Sequence, residues 1–171
     1  MDYNDSQNLA LLVFRVSLGL MLAAHGYGKV FRGGRLAGTA GWFDSIGMKP
    51  GRVHAPLAAG SEIGSGLLMA LGLLHGPAAA IMVGVMTVAG WTVHRKNGFF
   101  IINEGWEYTF IIAIAATTLA ILGPGQWSVD DALGLADDLD GWIGLVLAIG
   151  GVLAGMAQVA LFYRPPSPSD P

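Results

Sequence analysis

The chain has 171 residues, 53% of them hydrophobic and only 12% charged, with a net charge of −3. Soluble domains carry about 25% charged residues, so this composition excludes an ordinary soluble enzyme, and the length leaves room for one small helical bundle and no separate soluble domain. There is no cysteine, which excludes disulfides, thiol redox chemistry and cysteine-ligated iron–sulfur clusters, and nucleic acid is not an expected partner.

Five apolar runs are long enough to cross a hydrocarbon core, which takes ~20 residues of helix at ~1.5 Å each. A tail, residues 1–8, precedes the first run at about 9–31. The tail has no positive charge and no small-residue cleavage site follows, so the first helix is expected to be retained. Within it Arg15, Gly19, Leu22, Gly26 and Lys29 alternate steps of four and three and form one stripe, and His25 shares the face of Lys29. Arg15 lies ~15 Å outward of His25. It reads either as a functional intramembrane charge or as a side chain snorkelling to the outer interface.

A loop at 32–55 follows. Residues 38–47 place Trp42, Phe43 and Ile46 on one side of a short helix, with Gly47 set to end it and Pro50 beyond, so the segment is expected to lie in the membrane interface. His54 falls in this loop and reads as solvated. The second and third runs, about 56–74 and 77–93, are joined only by His75 and Gly76, with Pro77 at a first-turn position where its missing N–H costs nothing. This spacing predicts a tight antiparallel hairpin with His75 solvated. Glu62 lies about two turns into the second run, and His94 closes the third. The fourth run, about 104–122, holds Trp106 and Glu107 at its start. An acidic loop at 124–141, a fifth run at 142–162 and a Pro-rich tail at 163–171 complete the chain. Gly60 and Gly64, and Gly151 and Gly155, have the four-residue spacing that lets membrane helices approach closely, within the bundle or towards another subunit.

With five crossings, Lys29, Arg32, Arg35, Lys49, Arg52, Arg95, Lys96 and Arg164, eight of the nine Lys and Arg residues, fall on one side. By the positive-inside rule that side is cytoplasmic, the N-terminus is outside and the C-terminus is inside. Asp2, Asp5, Asp130, Asp131, Asp137, Asp138 and Asp140 fall outside. The Trp and Tyr residues, Tyr3 among them, gather near span ends and in loops, as an aromatic belt does. His25, Lys29, Glu62, Glu107 and His94 all belong to the cytoplasmic half and can converge on one polar pocket, whereas a direct pair between Arg15 and either glutamate is not expected.

These residues carry a resemblance. Arg15-x3-Gly19-x5-His25-Gly26-x2-Lys29, Glu62 with Gly66 and Gly72, Asn97-Gly98-Phe99, Gly105-Trp106-Glu107-Tyr108, and Gly123-Pro124-Gly125-Gln126-Trp127-Ser128-Val129-Asp130 together resemble the DoxX family of small bacterial membrane proteins, from about Arg15 to Asp131. The resemblance implies an all-α membrane protein: an antiparallel four-helix bundle over 9–123, here extended by a fifth C-terminal transmembrane helix. It also implies association with membrane redox or oxidative-stress complexes, the name coming from a component linked to thiosulfate:quinone oxidoreductase chemistry. The chain departs from the family in its fifth helix, in its Pro-rich tail, and in Gln126, where a basic residue is expected.

The leading expectation is a quinone or quinol site in the cytoplasmic half, formed by His25, Lys29, Glu62 and Glu107, with Arg15 and Trp106 as further candidates. Glu62 and Glu107 are assigned to proton handling, His25 to a carbonyl hydrogen bond and Lys29 to charge balance. The alternative is that these groups neutralise one another and pin the bundle, in a non-catalytic subunit that anchors a protein partner or forms a homo-oligomer through the fifth helix and its Gly151/Gly155 face. No electron donor is encoded. His25 and His94 are the pair at one depth that could ligate a haem, but beside Arg95 and Lys96 they read as facing lipid head groups, so neither haem nor metal is expected. A transporter is disfavoured by the lack of an internal repeat.

Overall fold

The structure, a computed structural model, describes residues 3–165; Met1, Asp2, the Tyr3 side chain and residues 166–171 of the Pro-rich tail lie outside the described residues. The described chain forms seven helices and no sheet: α1 (Tyr3–Phe31), α2 (Arg35–Ser45), α3 (Gly51–Leu71), α4 (His75–Ala89), α5 (Glu107–Leu122), α6 (Val129–Ala132) and α7 (Gly141–Phe162). A π-helical turn, Gly90–His94, and a 3₁₀ turn, Arg95–Asn97, prolong α4.

By length and composition three segments are long and apolar enough to cross a membrane: Asn4–Phe31, His75–Asn97 and Gly141–Phe162. The α5 helix is apolar but shorter, at 16 residues. The α3 helix is long enough at 21 residues, but it spends part of its buried face on His54, Glu62 and Ser65. All five expected runs are therefore helical, and three of them meet the crossing requirement by themselves.

Two helices begin earlier than the apolar pattern predicts. The α1 helix starts at Tyr3, and Asp5 in its first turn complements the positive end of the helix dipole. The α3 helix starts at Gly51 rather than Pro56, because the Asp44 carboxylate at the end of α2 accepts the Gly51 N–H at 2.7 Å and caps it. Pro56 costs one helical hydrogen bond and does not set the boundary. His54 is thereby a helical residue.

The α3–α4 connection is also displaced. Residues Gly72 to Leu74 make the turn, with Gly72 at φ 63° and Leu74 at φ 48°, and His75 and Gly76 already belong to the first turn of α4. Neither His54 nor His75 is solvated: they are 2% and 1% exposed.

The bundle is held by close backbone approach. Gly19 of α1 and Gly66 of α3 face each other so tightly that a methyl group on either would run into the other's carbonyl oxygen. Gly151 and Gly155 of α7 lie in the same way against Ala80 and Gly84 of α4, and Gly144 lies against Ala120 of α5. Lipid is as apolar as leucine, so such contacts, rather than the hydrophobic effect, bring membrane helices together. The Gly151/Gly155 face is thus used inside the chain and is not free for a partner. Gly60 and Gly64, with identical spacing, face open space. Leu22, Met69, Met82, Ile112 and Leu119 fill the centre, and Phe43 and Met48 join Ala55, Val88 and Val159 in a second cluster where α2 crosses α3.

The two ends differ in charge. At the basic end, Lys49 N–H donates to Phe162 O at 3.2 Å and Arg164 N–H donates to Gly47 O at 2.7 Å, clasping the end of α7 to the α2–α3 turn. At the acidic end, Asn8 and Gln126 exchange two hydrogen bonds of 2.9 Å, tying α1 to the segment before α6.

Candidate functional site

At the basic end the helices leave a cavity of about 300 Å³ among α1, α2, α3, α4, α5 and α7. Its polar groups arrive from α1, α3, α5, α7 and the π-helical turn that prolongs α4. Lys29 of α1 places its Nζ 2.7 and 2.6 Å from the two carboxylate oxygens of Glu62 on α3. The Glu62 side chain is the more enclosed of the two, and its lysine remains partly open. This arrangement neutralises a carboxylate that would be costly alone in an apolar setting.

Beside the pair, His25 Nδ1 lies 2.9 Å from the Met21 carbonyl oxygen one turn earlier. A carbonyl can only accept, so Nδ1 carries a proton. The Tyr108 hydroxyl of α5 stands 3.2 Å from His25 Nε2 and 3.7 Å from Met21 Sδ. Both ring nitrogens of His25 are therefore engaged.

The cavity wall also holds His54, which nothing in the apolar pattern singles out. Its Nδ1 is 3.1 Å from Nε2 of Gln158 on α7. The amide nitrogen can only donate, so His54 accepts through Nδ1 and carries its proton on Nε2. That Nε2 is buried and has no partner. The ring is fixed in place by Phe162, edge-on at 4.9 Å between centroids, and lies 6.5 Å from Phe43. A buried N–H without an acceptor costs on the order of 1–3 kcal/mol.

The α4 side of the cavity is the π-helical turn, where Thr92, Val93 and His94 line the wall. One extra residue per turn widens the helix locally, and such turns concentrate at functional sites. His94 is held by a 2.7 Å contact from Nδ1 to Glu104 O.

Of the six candidates read from the sequence, the structure brings His25, Lys29 and Glu62 to this cavity and leaves three elsewhere. Glu107 accepts the Ile101 N–H at 2.8 Å and braces the loop before α5. Trp106 packs edge-on against Phe99 and Phe110 and faces a separate shallow hollow shared with Trp91 and Arg95. Arg15 is at the acidic end, 2% exposed, and donates to the carbonyls of Ala70 and Trp127. It does not snorkel. It satisfies a carbonyl in the last turn of α3, which no intrahelical donor reaches, and ties that helix end to the acidic loop.

His54, Tyr108 and Gln158 escaped the sequence reading for separable reasons. His54 was hidden by starting the helix at Pro56. Tyr108 reads as an interface aromatic, and Gln158 is a lone amide in an apolar run. The available signal was the spacing of His54, Glu62 and Ser65, which share a face once the helix is extended upstream. Among the described residues, no group of three or more His, Asp or Glu is placed to hold a metal ion.

The DoxX family model matches residues 10–95, half of the chain. The match takes in Arg15, His25, Lys29, His54, Glu62 and the π-helical turn, and ends before Tyr108 and Gln158. No curated protein and no solved structure matches.

Proposed function

We propose, from the premise that the chain belongs to the DoxX family of membrane proteins, that it is a component of a quinone-linked membrane redox complex whose quinone or quinol head group sits in the basic-end cavity. The observation that carries this reading is that His54, whose Nε2 is buried without a partner, lines the same cavity as Glu62, a carboxylate held by Lys29. A volume of about 300 Å³ is at the small end of ligand pockets, the size for one ring rather than a large cofactor.

A quinone couple supplies two-electron, two-proton chemistry when bound. The residues of this chain bind and handle protons. His54 donates to one carbonyl oxygen, a role the sequence pattern assigns to His25 but which the engaged nitrogens of His25 leave it unable to fill. Glu62, with Lys29 as its counter-ion, exchanges a proton with water at the basic end, which the positive-inside rule makes cytoplasmic. The Tyr108–His25 pair offers a second exchangeable proton at the same wall. In this scheme the electrons come from a partner. Glu107 has no part in this scheme, because it braces a loop.

The second reading is a non-catalytic anchoring subunit, in which the 2.6 Å Lys29–Glu62 bridge simply pins α1 to α3. Native mass spectrometry of the chain, extracted from its own membrane in mild detergent, separates the two. A quinone that is retained by the wild type and lost in Glu62→Gln, with helicity unchanged, supports the site. A retained protein partner without quinone assigns the chain to the anchoring class.

A further inference from the structure

Behind the cavity wall runs a second hollow, a groove of about 540 Å³ on the outside of the bundle between α3, α4 and α7. Leu57, Ser61, Val85 and Gln158 line both hollows and form their shared wall. The groove is polar only there. Apart from Ser61 and Gln158, every residue lining it is apolar. Along α7 it extends from Gln158 to Val146, twelve residues or ~18 Å of helix, more than one leaflet of a ~30 Å hydrocarbon core.

Its floor is kept low by glycine and alanine. Gly84, Gly151 and Gly155 are small because the α4 and α7 backbones touch there. Gly150 has no such reason: a methyl group on it would meet nothing within 4 Å. A narrow apolar trough thus leads to a polar threshold, and just beyond the threshold lies His54, held by Gln158 through Nδ1 and left with Nε2 unpartnered.

We infer that the ligand of this site is a long-chain amphiphile, a carbonyl-bearing ring with an alkyl or polyprenyl tail, which reaches the cavity sideways from the bilayer between α3 and α7. The ring passes Gln158 and accepts the His54 Nε2–H, and the tail stays in the α3–α4–α7 groove. This rests on the head-group site proposed above and adds to it the tail, the route and the residue at the threshold. The α7 helix then has a specific role: it forms one bank of the groove and supplies Gln158.

The test uses the full chain in detergent and two probes with one head group, dimethoxy-methyl-benzoquinone without a tail and the same ring bearing a decyl tail. Gly150→Leu and, as a second groove-filling variant, Ala154→Leu occupy the trough from its open side. Their binding is compared with the wild type and with His54→Leu. The expected result is that each groove variant loses about tenfold in affinity for the decyl probe while tail-less binding stays within about twofold of the wild type, and that His54→Leu weakens both probes. Groove variants that bind both probes as the wild type does, or lose both equally, overturn the tail groove while leaving the head-group site standing. A folded wild type that binds neither probe overturns the head-group reading, and the groove proposal with it.

Discussion

Asp130 supports more structure than any other single side chain at the acidic end. It is 0% exposed, although Asp131, Asp137 and Asp138 of the same loop are exposed. Its two oxygens accept the Leu74 N–H at 2.7 Å and the His75 N–H at 2.9 Å, and its Oδ2 also lies 2.7 Å from His75 Nδ1. A carboxylate is thus placed on the orphan donors and positive dipole end of α4. It also holds Leu74 in a left-handed conformation that costs a branched residue about 1–2 kcal/mol. Asp130→Ala strands three buried polar partners and is expected to lower stability by about 3 kcal/mol or more. Asp130→Asn keeps one acceptor and should cost clearly less, and thermal unfolding of both variants in detergent orders them. None of this was legible in the sequence, where Asp130 and His75 look like loop residues 55 positions apart. Arg15 was legible as an anomaly but its partners were not, because backbone carbonyls leave no mark on a sequence.

Helices were legible where a boundary is made by the run itself, as at α7, expected at 142–162 and found at Gly141–Phe162. They were misplaced where another element makes the boundary, as at α3, whose start is set by Asp44 of α2. Glycine pairs show the same division. The pairs Gly60/Gly64 and Gly151/Gly155 have one spacing and opposite surroundings, since spacing states that a face is smooth and not what lies against it. The contrast is measurable. Gly151→Ala and Gly155→Ala drive a methyl into α4 and are expected to cost about 1–3 kcal/mol. Gly60→Ala and Gly64→Ala meet nothing and should gain up to about 1 kcal/mol from lower backbone entropy in the unfolded chain. Unfolding midpoints of the four variants decide it, and equal losses in all four would contradict the packing described. Of the site, the α1–α3 part (His25, Lys29, Glu62) was readable from depth and stripe. The part supplied by α5 and α7 was not, because Tyr108 and Gln158 acquire meaning only from the tertiary contacts that bring them to His25 and His54.

At the scale of the whole molecule, the segregation of charge seen along the sequence becomes a property of two physical ends. The clasp between Gly47–Lys49 and Phe162–Arg164 gathers the α2–α3 turn and the end of α7, so Lys49, Arg52 and Arg164 share one end with Lys29. Asn8, Gln126, Gly72 and Asp130 meet at the other. The chain has no cysteine, which makes single-cysteine labelling clean. In intact cells an impermeant maleimide is expected to modify Asp138→Cys directly and Lys96→Cys only after permeabilisation, as the positive-inside rule requires. The reverse pattern would place the cavity on the outside and move the proposed proton exchange to that compartment.

The clasp and the His54–Gln158 contact also impose an order in time. The two partners are 104 residues apart, and at ~5–20 residues per second a ribosome delivers the second roughly 5 to 20 s after the first. Throughout that interval His54 lacks its Gln158 partner and the groove lacks one bank. A nascent chain released before α7 therefore lacks Gln158 and one wall of the cavity, and synthesis of the last helix is the step that closes it.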